Sequence, residues 1–379
     1  MKNENYRICA KTIMDTTSDP DITFNGNGVS NYVKLYEELI KLRVPTADKA
    51  KEILDKTIVK IKEAGKNKDY DCLIGVSGGV DSTYVAWLTK ELGLRPLAVH
   101  VDNGWNSELA VSNIGKTLKN LNIELYTEVL NWEEFRDLQL SFLKASTADG
   151  EIPSDHIIMA VLMKTANKFG IKYIINGSNI RTEGILPRTW ARGHLDWKYI
   201  KSVHKQFGKT RIKTIPHISI IKVIYYLYIK NIKMFPILNF VDYSNGEAMK
   251  ILKEKLDWQY YGGKHYESVY TRFYQGYILP KKFNIDKRRG HLSSLICSGE
   301  ISREQALVEI NHNPYSDESL EKQDIEFVLK KFNLSQDEFD EIMKMLPKTI
   351  FDYPNNFKNW EHLRRIYWNF RKNKNDKSN

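Results

Sequence analysis

Six consecutive residues, Ser77-Gly78-Gly79-Val80-Asp81-Ser82, have the types that an anion site needs. Gly78 and Gly79 free the backbone to take conformations closed to other residues and to approach an anion closely. A strand-like run over 72–76 ends just before them, and a helix-like run over 82–92 follows. The first turn of such a helix presents unpaired N–H groups and the positive end of its dipole. Ser77, Ser82 and Thr83 add hydroxyl donors, and the Asp81 carboxylate suits a magnesium ion bridging phosphates. A serine-capped turn with no ligand is the plainer alternative. The complete hexapeptide between strand and helix favours phosphate.

The surrounding chain supplies the frame. Strand-like segments at 72–76, 95–101, 123–128 and 173–176 alternate with helix-like segments at 82–92, 107–120, 132–145 and 157–169. That alternation predicts βαβ units and an α/β fold with a doubly wound parallel sheet, whose ligands bind at the carboxyl ends of the strands. Two helices are expected between 31 and 65, and capped helices at 302–311, 316–333 and 335–346 in a mainly helical, aromatic second half. The expected division is a small N-terminal segment, 1–34, a nucleotide domain, 35–200, a helical substrate domain, 201–370, and a polar, disordered tail, 371–379.

The hexapeptide after its strand resembles the PP-loop of the ATP pyrophosphatases, the adenine-nucleotide α-hydrolase fold; no Gly-Lys-Ser/Thr of a Walker A loop follows. Further stretches narrow the resemblance. His100 to Ser107 reads HVDNGWNS, Asn176 to Asn179 reads NGSN with Thr182-Glu183-Gly184 after it, and Trp258 to His265 reads WQYYGGKH. Glu267, Tyr270-Thr271-Arg272-Phe273, Asp286-Lys287-Arg288-Arg289 and His291-Leu292-Ser293-Ser294 follow. Together, from about Cys9 to Leu307, the chain resembles the N-acetyl sugar amidotransferases of bacterial surface-polysaccharide synthesis. The resemblance implies an enzyme that uses ATP and Mg2+ to convert the N-acetyl group of a nucleotide-activated sugar to an acetamidino group. It also implies ammonia from a separate glutaminase subunit, and release of AMP and pyrophosphate.

On that resemblance, ATP is expected on Ser77, Gly78, Gly79, Val80, Asp81, Ser82, Asp102 and Gly177. Asp81 would hold magnesium, and Glu183 is a candidate second carboxylate for metal or ammonia. Lys264 would neutralise phosphate, and His265 or Glu267 could deprotonate ammonium. Asn103, Trp105, Asp155, His156, Asn179, Arg272, Arg288 and Arg289 are the expected substrate contacts, the arginines being suited to a sugar diphosphate. Each has a plainer structural reading: a turn for Asp102, a helix cap for Asp155, a satisfied core residue for a lone histidine, a solvated run for 287–289. The family's N-terminal segment usually carries two CxxC pairs of a zinc knuckle. Here Cys9 is followed by Thr12, Ser30 and Val33, so no structural zinc is expected.

Composition sets bounds. The chain has 379 residues, enough for two or three domains and a large core, with 57 Lys and Arg against 47 Asp and Glu, a net +10. Three scattered cysteines argue for a reducing compartment and against a disulfide framework. The N-terminus has no apolar run of signal-peptide length, and a cytoplasmic protein is expected. Much of the basic excess is read as spread through lysine-rich helices. The most apolar stretch, 215–241, is broken by Pro216, Lys222, Lys230, Lys233 and Pro236, which speaks against a membrane span. It reads either as an amphipathic helix on a membrane surface or partner, or, more simply, as buried in the second domain.

Two rivals stand beside the amidotransferase. A PP-loop tRNA-modifying enzyme, a thiolase or lysidine synthetase, would suit the basic charge. Scattered cysteines count against thiolation and the 258–294 segment against lysidine synthesis, so no nucleic-acid partner is expected. A non-enzymatic ATP-binding module is the third reading, and the intact hexapeptide argues against it.

Overall fold

The computed structural model describes residues 6–190, 192–263, 266–315, 317–360 and 362. Lys264, His265 and the tail 371–379 lie outside the described residues. Two N-terminal helices, α1 (Asn31–Arg43) and α2 (Ala47–Ala64), precede a five-stranded parallel sheet. Its elements run β1 (Cys72–Gly75), α3 (Val80–Glu91), β2 (Pro96–Asp102), α4 (Glu108–Leu121), β3 (Glu124–Val129), α5 (Trp132–Lys144), α6 (Ile152–Lys168) and β4 (Tyr173–Asn176). After α7 (Ile180–Glu183), α8 (Trp197–Phe207) and α9 (Ile220–Ile224, running on as a π-helical turn to Ile229), β5 (Lys233–Pro236) completes the sheet. The strand order is β3-β2-β1-β4-β5. The chain therefore reverses direction of travel between β1 and β4, and that switch point is where such sheets bind ligands.

Successive strand residues face opposite sides. Leu73, Leu97, Val99 and Ile174 pack with α5, α6 and the C-terminal helices. Cys72, Ile74, Ala98 and Ile175 pack with α2, α3, α4 and α10 (Asn245–Leu256). Two cores thus clamp the sheet, the doubly wound arrangement expected from the alternation.

The fifth strand was not expected. Lys233 pairs with Tyr173 and Pro236 with Asn176, inside the 215–241 stretch and beyond residue 200. Four residues, Lys-Met-Phe-Pro, carry no alternating pattern, and a proline is tolerated here because β5 is an edge strand.

Beyond α10 the chain is helical. α11 (Val269–Phe273), a π-helical turn and α12 (Leu279–Phe283) form one continuous rod, followed by α13 (Arg288–Ser298), α14 (Arg303–Asn311), α15 (Glu318–Phe332) and α16 (Gln336–Lys344). Capping boxes at Ser302/Gln305 and Ser335/Glu338 start α14 and α16. The N-terminal segment docks on this half. Ile13 packs with Leu292 and Ala306, and Arg303 donates to the carbonyls of Cys9 and Thr12.

Candidate active site

The loop between β1 and α3 sits at the switch point. Gly78 has φ +83°, a conformation that disfavours side chains, and a Cβ there would stand 2.5 Å from the Ala110 carbonyl oxygen. Ser82 Oγ accepts the Ser77 amide at 3.2 Å and donates to the Gly79 carbonyl at 3.1 Å, closing the loop on itself. Gly79 caps α3, so Val80, Asp81 and Ser82 form its first turn. Across the crevice, Gly177 follows β4, and a Cβ on it would meet Asp81 Cβ at 3.0 Å. Glycine there is what lets the two strand ends approach.

A strap carrying Trp258, Tyr261 and Glu267 lies over the loop. Trp258 Nε1 donates to the Gly78 carbonyl at 3.0 Å, and the Tyr261 hydroxyl accepts the Val80 amide at 3.1 Å. Glu267 Oε1 and Tyr261 Oη both lie close to the α-carbon of Gly79, 3.1 and 3.2 Å from where its Cβ would stand. The strap is stitched to the β2–α4 loop by the Ser107 amide on the Glu267 carbonyl and the Val269 amide on the Trp105 carbonyl, both 2.9 Å. Burial, with the Glu267 charge adding to it, pushes the Tyr261 hydroxyl well above its ordinary pKa. It stays a neutral hydroxyl at any working pH.

The Asp81 carboxylate accepts a hydrogen bond from the Tyr243 hydroxyl. Burial first, and then the Asp81 charge, hold Tyr243 protonated. Glu183 lies on the same cleft wall, close enough for its charge to act on Tyr243 as well. Two carboxylates at a phosphate loop are hard oxygen donors of the kind Mg2+ takes alongside phosphate oxygens. The residues present fit that ion. Among the described residues no group of three or more His, Cys, Asp or Glu side chains could hold a metal by itself.

The cleft of about 1350 Å3 runs from this loop to α11, α13 and α14. Three of its cations come already paired. Arg272 Nε and Nη2 grip Asp324 at 2.6 and 2.7 Å, with Tyr315 donating to the same carboxylate at 3.0 Å. Lys287 pairs with Glu151 at 2.7 Å, and Arg288 with Asp286 at 2.7 Å. An anion entering here shares these three cations with their carboxylates.

Ser77, Gly79, Val80, Asp81, Ser82, Gly177, Glu183, Glu267, Arg272 and Arg288 line this one cleft. Others named from the sequence do not reach it. Trp105 is buried under Trp132, Tyr270 and Phe332 and donates to Gln139 at 2.6 Å. His156 is fully buried between the His194 carbonyl and the Ile218 amide. Asn179 is the buried cap of α7, accepting from the Thr182 amide at 2.9 Å. Arg289 reaches away to Asp15 at 3.0 Å and the Ile13 carbonyl at 2.8 Å, pinning the N-terminal segment. Asn103 and Asp102 build the turn after β2, accepting from the amides of Trp105 and Gly104. Asp155 is exposed in the first turn of α6. For all of these but Asp155, a structural demand, a cap, a turn, a core partner or the docked N-terminal segment, takes the side chain. Tyr261 and Tyr243 were missed. The former stands in a segment singled out for its other residues, and nothing in sequence spacing ties Tyr243 to Asp81.

The parallel sheet, its order and the SGGVDS loop at the switch point define an α/β protein of the PP-loop class with a helical C-terminal part. Residues 267–367 match the family described as LPS biosynthesis protein WbpG-like, C-terminal domain, which bears out the resemblance drawn from the sequence. No curated protein matches the chain. Solved structures to which part of the chain is similar include NMN synthetase from Francisella tularensis, 17% identical over 52% of this chain and 76% of that one, TM-score 0.27. The NH3-dependent NAD synthetase from Campylobacter jejuni is 18% identical over 54% and 83%, TM-score 0.29. A predicted subunit of tRNA methyltransferase from Methanocaldococcus jannaschii is 16% identical over 47% and 73%, TM-score 0.29. No described helix is long and apolar enough to cross a membrane.

Proposed function

We propose that this protein is an ATP-dependent amidotransferase of lipopolysaccharide synthesis that turns the N-acetyl group of a nucleotide-activated sugar into an acetamidino group. One observation carries the reading. The SGGVDS loop and residues of the matched 267–367 segment, Glu267, Arg272 and Arg288 among them, line the same cleft.

The chain's residues divide the work. The Gly79 and Val80 amides, the Ser77 and Ser82 hydroxyls and the α3 dipole accept the pyrophosphate, stabilising charge as it leaves. The sugar's amide oxygen attacks the α-phosphorus of ATP, the Pα–O bond breaks, and pyrophosphate departs. Glu267 then takes a proton from ammonium, ammonia attacks the activated imidate carbon, and AMP leaves with the former amide oxygen. Asp81 and Glu183 are the residues that would hold Mg2+, which when bound supplies further charge neutralisation on the phosphates. Tyr260, Tyr261 and Tyr266 form an aromatic wall that keeps water from the activated intermediate. Arg288 faces the sugar's diphosphate. Lys264 and His265 retain the roles assigned from the resemblance, and a glutaminase subunit supplies the ammonia.

The test is release of AMP and pyrophosphate from ATP·Mg2+ with a panel of UDP- and CMP-linked N-acetyl sugars plus ammonium, against bulk tRNA. Release that needs both sugar and ammonium, with a product in which O is replaced by NH, supports the reading. Release with tRNA and not with any sugar overturns it.

A further inference from the structure

The helix formed by α9 and its π-helical turn has two apolar faces. Val223 and Tyr226 turn inward and are buried. Ile221, Ile224, Tyr225, Tyr228 and Ile229, spaced three and one apart along one outer face, are exposed, Ile221 by 75%, Tyr228 by 63% and Ile229 by 72%. Lys222 is the one polar residue among positions 220–229. Of the two sequence readings, burial holds for the inner face only.

The charge around this face is also unlike the rest of the chain. From 197 to 241 there are nine basic residues and no Asp or Glu, leaving 48 basic against 47 acidic residues elsewhere. The excess is thus local, not spread through the helices. Lys198, Lys201, Lys205, Lys209, Arg211, Lys213, Lys222 and Lys233 are exposed. The charges of Lys164, Lys222 and Lys201 converge on His217, just before the helix, which puts cations from α6, α8 and α9 on one side of the molecule.

We propose that this face docks on an anionic lipid bilayer. Isoleucines enter the headgroup–acyl boundary, the tyrosine rings sit at headgroup level, and the surrounding lysines meet lipid phosphates. A second copy of the chain would set two lysine-rich surfaces against each other, and like charges in contact oppose that. Nucleic acid would satisfy the lysines but leaves three aliphatic side chains without a role. The helix leads into the amino end of β5, whereas the cleft opens at the carboxyl ends of the strands, so docking here leaves the cleft accessible.

The full chain is tested by co-sedimentation with phosphatidylcholine vesicles and with vesicles containing phosphatidylglycerol. Binding is expected to the anionic vesicles only, to fall with added salt, and to weaken about tenfold or more in I221S/Y228S/I229S. All three side chains are exposed, so the variant's melting temperature should match the native one and certify its fold. Lys201→Glu/Lys222→Glu should lose binding likewise. Equal binding by native and triple-variant chains overturns the proposal. So does no preference for anionic vesicles, or a lipid-free dimer that the triple substitution dissolves.

Discussion

The Tyr261 hydroxyl accepts the Val80 amide at 3.1 Å, in the first turn of α3, where an incoming pyrophosphate would need that same N–H. On the proposed function, the strap and the phosphate therefore compete for one donor. Removing the hydroxyl leaves the donor to the nucleotide. Tyr261→Phe is expected to bind a non-hydrolysable ATP analogue about three- to tenfold tighter by calorimetry, the worth of one hydrogen bond. It should also lower the melting temperature slightly, because the strap loses its tie. Weaker binding would show that Tyr261 holds the phosphate instead of yielding to it.

Glu267 brings a negative charge to the same place, beside Gly79. In the ground state it repels phosphate; in the proposed reaction it takes the ammonium proton. Glu267→Gln separates these effects. ATP affinity should rise, while turnover with ammonium should fall by about 100-fold or more, the size of a lost general base. The loss should shrink as pH rises and free ammonia replaces ammonium. A KM effect with unchanged kcat would remove Glu267 from the chemistry.

The frame was legible where periodicity and glycine chemistry coincide. The four inner and flanking strands, the helices between them and the phosphate loop follow from alternating patterns closed by Gly78 and Gly79. Six of the residues expected to hold ATP, Ser77, Gly79, Val80, Asp81, Ser82 and Gly177, line one cleft for the same reason, while Asp102 does not. What escaped was long-range: β5 is four residues whose strand state comes from pairing with β4. Tyr243 meets Asp81 across 162 positions, and Arg289 turned toward Asp15 because the N-terminal segment docks there. Such contacts depend on packing between distant segments and leave no spacing in the chain. The local basic excess of 197–241, by contrast, was countable from the sequence and hidden by averaging over the whole.

His156 predicts an acid-sensitive core. Its Nδ1 donates to the His194 carbonyl at 2.8 Å and its Nε2 accepts the Ile218 amide at 3.1 Å, so the ring is held neutral and protonation breaks the second bond. Burial, joined by the charges of His217, His194 and Lys164, pushes it down to about 4. A histidine depressed in the folded state contributes stability present above its unfolded value, near 6.5, and lost as pH falls through about 4. The loss is at most about 3 kcal/mol across that window. Asp149, pushed up to about 6 by burial, acts with the opposite sign over the same range, so native and variant must be compared at each pH. His156→Gln should be less stable at pH 7.5 and show a flatter denaturation midpoint from pH 6.5 to 4. Parallel curves would mean that His156 does not titrate there.

The N-terminal segment gathers two backbone N–H groups around a single thiol. Cys9 Sγ accepts the amides of Thr12 at 3.4 Å and Ser30 at 3.2 Å. Burial raises the thiol's pKa, but the Ser30 and Thr12 side chains, and then their N–H groups, outweigh it and leave it lowered. Thr12 and Ser30 are buried beside it, and Val33 is buried two residues into α1. The packing of Ile13 on Leu292 and the reach of Arg289 and Arg303 hold the shape from outside. The variant T12C/S30C/V33C should therefore bind one Zn2+ through four thiolates, and its melting temperature should rise with zinc and fall back with chelator, since a ligand for the folded state stabilises it by mass action. Native chain should show neither effect. If the triple variant takes up no stoichiometric zinc, the four positions do not converge, and the segment is a loop held by its neighbours alone.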